Sequence, residues 1–178
     1  MAGEELEPRV RKFALTLHVI VSVGWLGATL AFLALAINGI TSADMVRVRG
    51  GALAMQTLAL FVIVPLSLAS LATGLVQALG TKWGLFRHHW IVAKLVINVV
   101  SSLVLLVHTQ PINALARAAS EGPVTSAHFA LQLQLVVAAA AASVALMVAV
   151  TLAVVKPRGL TSYGRRKQLE AQAGTEGP

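Results

Sequence analysis

The chain has 178 residues, of which 57% are hydrophobic and 12% charged, with a net charge of +7 and no cysteine. A soluble domain carries about a quarter charged residues, so half that fraction, with a mean hydropathy of +0.78, excludes both an ordinary water-soluble domain and a disordered chain. The lack of cysteine excludes disulfides, thiol catalysis, iron–sulfur clusters and cysteine-type zinc sites.

Residues 1–12 form a short N-terminal tail, polar and acidic at first and then basic at Arg9, Arg11 and Lys12. A first apolar run follows over residues 13–37. The basic start and Ala34-Leu35-Ala36 imitate a secretory signal with its cleavage site. The run is longer than the about 7–15 residues of a signal core, so it reads as a span. Three more apolar runs cover residues 53–79, 89–108 and 129–155. A membrane helix needs about 20 such residues, because ~30 Å of hydrocarbon is crossed at ~1.5 Å per residue. Barrel strands would be shorter and would alternate in polarity, which these runs do not. Pro65 is expected to kink the second span. Small residues (Gly24, Gly27, Ala28, Ala31 and the Ala-rich stretch 136–145) allow close helix packing in lipid. Residues 156–178 are a basic tail, expected to be mobile.

Lys and Arg set the orientation. The N-terminal tail, the loop with Lys82 and Arg87, and the C-terminal tail (Lys156, Arg158, Arg165, Arg166, Lys167) share one side and hold ten basic residues. The other side has three, Arg47, Arg49 and Arg117. This excess puts both termini in the cytoplasm. The expected fold is all-α: a four-helix transmembrane bundle over residues 13–155, up-down-up-down, in the cytoplasmic membrane. The basic excess reads as topology and contact with anionic lipid, not as a nucleic-acid footprint.

Chemistry then rests on few groups. No span contains an acid, and Lys94 is the one fixed charge within a span. Ionisable groups inside a membrane are functional suspects. His18 lies about 9 Å past Lys12 along the first helix. His88 and His89 open the third helix from the same side. His108 lies about 28 Å beyond His89, and His128 opens the fourth helix from that far side. Lys94 and His108 are about 40° out of register, with Asn98 and Ser101 close to the same face. That polar stripe is expected to face the bundle interior. His18 and Trp25 are nearly aligned on the first helix, and His128 and Gln132 share a face on the fourth.

Histidine pairs on facing helices suit a b-type haem, whose iron takes axial imidazoles. The inner candidates are His18 and His89, the outer candidates His108 and His128, with Lys94, Arg87 and Arg117 available to propionates. The competing expectation for each is bland. His88 and His89 would touch interfacial water, His108 and His128 would mark the polar edge of the bilayer, Lys94 would snorkel, and His18 would be a hydrogen-bonded packing residue.

Two strings carry a resemblance: His18 with Trp25-Leu26-Gly27, and Trp90-Ile91-Val92-Ala93-Lys94 with His108. Over residues 12–156 the chain resembles bacterial membrane proteins of the copper-resistance protein D and HemJ-type protoporphyrinogen oxidase types. It is more similar still to a family of four-helix bacterial integral membrane proteins of unknown function. The HemJ-type resemblance implies haem b, with His18 and Lys94 matching that family's first-helix histidine and third-helix lysine. The stretch Ala34-Leu35-Ala36-Ile37-Asn38 lacks that family's further histidine and arginine motifs. The expected function is therefore a small membrane haem-b or redox-associated protein, an oxidoreductase if an enzyme, exchanging electrons with a quinone or another redox partner. Two rivals are a cofactor-free accessory or assembly subunit and a component of a copper or small-solute permease. Any transport by so small a bundle would require a homo-oligomer.

Overall fold

The structure is a computed structural model that describes residues 7–80, 85–157 and 159–173. Residues 1–6, Lys82 and Arg158 lie outside the described residues. Helix α1 (Pro8–Thr41) is followed by α2 (Met45–Leu58), a π-helical turn (Ala59–Ile63) and α3 (Val64–Leu79), which together form one continuous helical rod. Helix α4 (His89–Glu121), a 3₁₀ turn (Ser126–His128), α5 (Phe129–Val155) and a short α6 (Ser162–Ala173) complete the chain. Four stretches, Pro8–Thr41, Met45–Leu79, His89–Glu121 and Ser126–Val155, are each long and apolar enough to cross a membrane. All four expected spans are therefore helical.

The helices overrun the spans for identifiable reasons. Asp44 caps α2, accepting hydrogen bonds from the amides of Val46 at 2.9 Å and Arg47 at 3.4 Å. The helix thus starts ahead of residue 53, through Arg47, Arg49, Gly50 and Gly51. Helix α4 runs through Pro111 to Glu121, because Ile112, Leu115 and Ala119 are buried in the core and hold the extra turns. Pro65 has no amide hydrogen to give the helix, and the π turn stands just before it. There the Val64 amide reaches back to the Ala59 carbonyl, five residues away.

Two regions of the bundle differ in packing. Phe32, Ala36, Met55, Ile63, Ile112, Leu115, Leu135 and Ala139 form a filled core, with Trp25 and Leu146 at its margin. Polar clasps reinforce it: Gln56 donates to Asn113 at 2.9 Å, Arg49 Nε to the Ala119 carbonyl at 2.7 Å, and Gln132 to the Gly39 carbonyl at 2.9 Å. Helix α4, by contrast, has no buried residue between His89 and Ser101. Its first half stands off from the other helices.

The C-terminal segment, expected to be mobile, carries α6 and is tied to the start of α4. Leu160 bridges His88, the Thr161 amide donates to the Arg87 carbonyl at 3.0 Å, and the Thr161 hydroxyl donates to the Phe86 carbonyl. Gly164 packs directly on the Arg87 carbonyl.

Candidate functional site: a basic-rimmed cavity between four helices

Where α4 stands off, a cavity of about 690 Å³ opens between the helices. Each long helix gives it one strip of residues at the three-and-four spacing that defines a helix face. Helix α1 contributes Arg11, Leu15, His18, Ser22 and Trp25, and α3 contributes Ser70, Gly74 and Gln77. Trp90, Ile91, Lys94 and Asn98 come from α4, and Leu146, Ala149, Val150 and Ala153 from α5. Side-chain volume accounts for the space. Five of the inward positions here are small (Ser22, Ser70, Gly74, Ala149 and Ala153), whereas Phe32, Met55, Leu115 and Leu135 fill the space between the small residues of the other region. Trp25, 2% exposed, belongs to both regions and separates them.

His18 is held firmly. Its Nδ1 lies 2.9 Å from the Thr73 hydroxyl. That hydroxyl gives its single proton to the Ala69 carbonyl at 2.7 Å. It therefore accepts the Nδ1–H of His18, which leaves the lone pair of the neutral ring on Nε2. The ring seats on Gly74, where an added Cβ would stand 3.2 Å from the His18 Cε1. One turn further along, Ser22 and Ser70 share a hydrogen bond of 2.9 Å.

Three cations line the cavity: Arg11, Lys94 and Lys156. No aspartate or glutamate lines it among the described residues. Lys94 is half-buried, with its Nζ 6.0 Å from the centroid of the Trp90 ring, at the limit of a cation–π contact. Lys156 ends α5 in the left-handed conformation (φ 45°) and donates its amide to the Leu152 carbonyl at 3.2 Å.

The remaining histidines lie elsewhere. His89 is exposed at the start of α4, beside Gly159, and does not line the cavity. His88 lies tilted against Trp90, ring centroids 6.3 Å apart. His108 Nδ1 donates to the Val104 carbonyl of its own helix at 2.8 Å. His128 Nδ1 accepts the Thr125 amide at 3.2 Å, which closes the capping box ahead of α5. A neutral His128 therefore carries its proton on Nε2 and has no free lone pair for a metal. The structure thus brings His18 and Lys94 to one cavity and leaves His89, His108 and His128 away from it. Among the described residues no group of three or more His, Asp or Glu is placed to hold a metal ion. Of the stripe expected on α4, Lys94 and Asn98 line the cavity, and Ser101 and His108 do not. Ser102, not Ser101, is the buried serine, and His108 is half-buried.

Sequence reasoning missed Arg11, Lys156, Thr73, Gly74 and the Ser22–Ser70 pair as parts of a site. The available signal was the run of small residues in step with His18 on α1 and with Thr73 on α3.

These features are those of an all-helical protein with four helices long and apolar enough to cross a membrane and a cavity between them. No protein-family model, curated protein or solved structure matches the chain.

Proposed function

We propose that the protein crosses the cytoplasmic membrane four times, up-down-up-down with both termini inside, and binds a lipophilic molecule in its cavity. The paired side chains support the topology. Residue numbers rise along one helix as they fall along its partner for His18–Thr73 and Ser22–Ser70, and again for Arg49–Ala119 and Gln56–Asn113. The distribution of Lys and Arg supports the orientation. The observation that carries the binding reading is the cavity itself. At about 690 Å³ it lies within the roughly 300–1,000 Å³ range of small-molecule sites. Its walls are mostly apolar, with a few convergent polar groups.

A b-type haem is the particular occupant that one further observation favours. His18 is oriented by Thr73 and keeps a lone pair on Nε2, the state an axial ligand needs. The residues present fit a haem held through one imidazole, with Arg11, Lys94 and Lys156 available to its propionates. They do not fit two histidine ligands at this cavity. When bound, haem would supply one-electron chemistry, with a quinone as a fitting partner in the lipid.

Native mass spectrometry of the protein in mild detergent tests the binding reading. A retained lipophilic molecule is expected, and Ala149→Trp, which fills the cavity, is expected to expel it. Retention unchanged by that substitution, or nothing bound by the wild type, defeats the proposal. Absorption spectra before and after dithionite test the haem. A Soret band and a sharpened α-band that His18→Ala abolishes support it. A colourless preparation from haem-replete cells removes haem and leaves the cavity as a lipophile site.

A further inference from the structure

We infer that the occupant of this cavity is an anionic amphiphile, a carboxylate or phosphate on an apolar body, with its acidic group at Lys94 and its body toward Trp25. The inference rests on the reading of the cavity as a lipophile site and adds the charge and the orientation of the guest.

Charge complementarity leads to it. The cavity presents three cations, and its lining includes no carboxylate among the described residues. The two described acids that form ion pairs do so elsewhere, Asp44 with Arg47 and Glu170 with Arg166 and Lys167. Lys94 sits half-buried inside a membrane-spanning helix, where an ammonium without a counter-charge is costly. The face of Trp90, 6.0 Å away, is a weak substitute for an anion. Lys156 and Arg11 lie near the chain ends of their helices, so an anion at Lys94 has a cationic approach.

Volume sets the apolar body. A water molecule takes about 30 Å³ of the liquid, so an inorganic anion alone leaves most of the 690 Å³ unfilled. Beyond Lys94 the lining sets Leu95, Leu146, Ala149 and Val150 around a few neutral polar groups, Asn98 and the Ser22–Ser70 pair, and ends at Trp25. A hydrocarbon chain or ring system in that space buries apolar surface on both sides, which an anion in water does not.

The test uses the whole protein in a neutral detergent. The probe is a dansyl-labelled undecanoic acid, compared with its methyl ester, and energy transfer from Trp25 and Trp90 reads binding. The acid is expected to bind about tenfold or more tighter than the ester, as a charge-assisted hydrogen bond provides. Lys94→Met is expected to bring the acid-to-ester affinity ratio down to about one, and Lys94→Arg to restore most of it. Should Lys94→Met fail to fold, Lys156→Met reads the same preference at the rim, where a weakening of about threefold is expected. Competition separates the sources. Displacement by palmitate assigns a fatty carboxylate, and displacement by phosphatidylglycerol assigns an acidic lipid. Displacement by inorganic phosphate alone, or by none of the three, overturns the inference. Equal binding of acid and ester overturns the anion while the lipophile site stands. Binding of neither overturns both.

Discussion

Gly164→Ala is the most discriminating perturbation of the contact between α6 and the start of α4. Alanine favours an exposed helix over glycine by about 1 kcal/mol, so α6 taken alone becomes more helical. Docking is predicted to move the other way. A Cβ at position 164 falls on the Arg87 carbonyl oxygen and lies 3.1 Å from both the carbonyl carbon and the Cα of Arg87. Those are backbone atoms and cannot rotate aside. Relief requires α6 to lift, which breaks the two hydrogen bonds from Thr161 to the Arg87 and Phe86 carbonyls. Each exposed bond contributes roughly 0.5–1.5 kcal/mol net, so the pair amounts to about 1–3 kcal/mol. The docked-to-undocked ratio should then fall by about 5- to 150-fold. Hydrogen exchange at the Thr161 amide and tryptic cleavage at Arg165 and Arg166 measure that ratio in detergent. Both are expected to accelerate in Gly164→Ala while the helicity of α6 holds or rises. Unchanged exchange and cleavage would refute the clamp and return this segment to a free tail.

Asp44→Ala removes the α2 cap and is expected to cost about 1 kcal/mol, read as a lower thermal midpoint, with Asp44→Ser recovering most of it. Gly74→Ala presses a methyl to 3.2 Å from the His18 Cε1, so the ring must shift by a few tenths of an ångström. Ligand affinity at the cavity is expected to fall while the fold persists, and unchanged affinity would separate His18 from binding. Lys156→Gly removes a left-handed cap that costs a non-glycine residue about 1 kcal/mol, and it also removes a rim cation. It is expected to raise thermal stability and weaken binding of the acidic probe, two changes that a purely structural Lys156 would not combine. The Lys167 ammonium holds the Glu170 carboxyl below the usual glutamate range. A depressed carboxylate stabilises above its ordinary value and loses that contribution as the pH falls through the lowered one. Exchange protection within α6 is therefore expected to decline under acid, and Glu170→Gln to flatten the dependence.

The spans were readable because length and hydropathy are properties of a single segment and need no knowledge of neighbours. Their helical overruns were less so. Arg47, Arg49 and the Gly50-Gly51 pair look like loop, and Pro111 looks like a stop. Cap chemistry at Asp44 and the burial of Leu115 and Ala119 outweigh those local preferences. Histidine depth could be read at ~1.5 Å per residue, which correctly separates His18 from His108 along the axis. Azimuth could not. Which residues of a face are covered depends on where the neighbouring helices lie: Ser102 and Ile112 are buried, whereas Ser101 and His108 stay half-buried. The local partners of His108 and His128 depend on atoms within one turn, and the Thr125-to-His128 spacing was the one visible clue to the cap.

The cavity follows from the sizes of the side chains that meet there. Close packing in lipid favours small inward residues only where the facing helix can approach. On α1, α3 and α5 the inward lines at this end include the small residues Ser22, Ser70, Gly74, Ala149 and Ala153, which permit near contact. Helix α4 answers them with Trp90, Lys94 and Asn98, whose bulk and polarity keep the backbones apart. Small residues meeting large polar ones leave space that lipid packing alone would close, and Lys94 gives that space a charge. A Lys94→Ala chain should therefore draw α4 inward and bury residues between His89 and Ser101, so that the amides of this half exchange more slowly than in the wild type. Faster exchange there would mean that the lysine holds α4 in place and does not hold it apart.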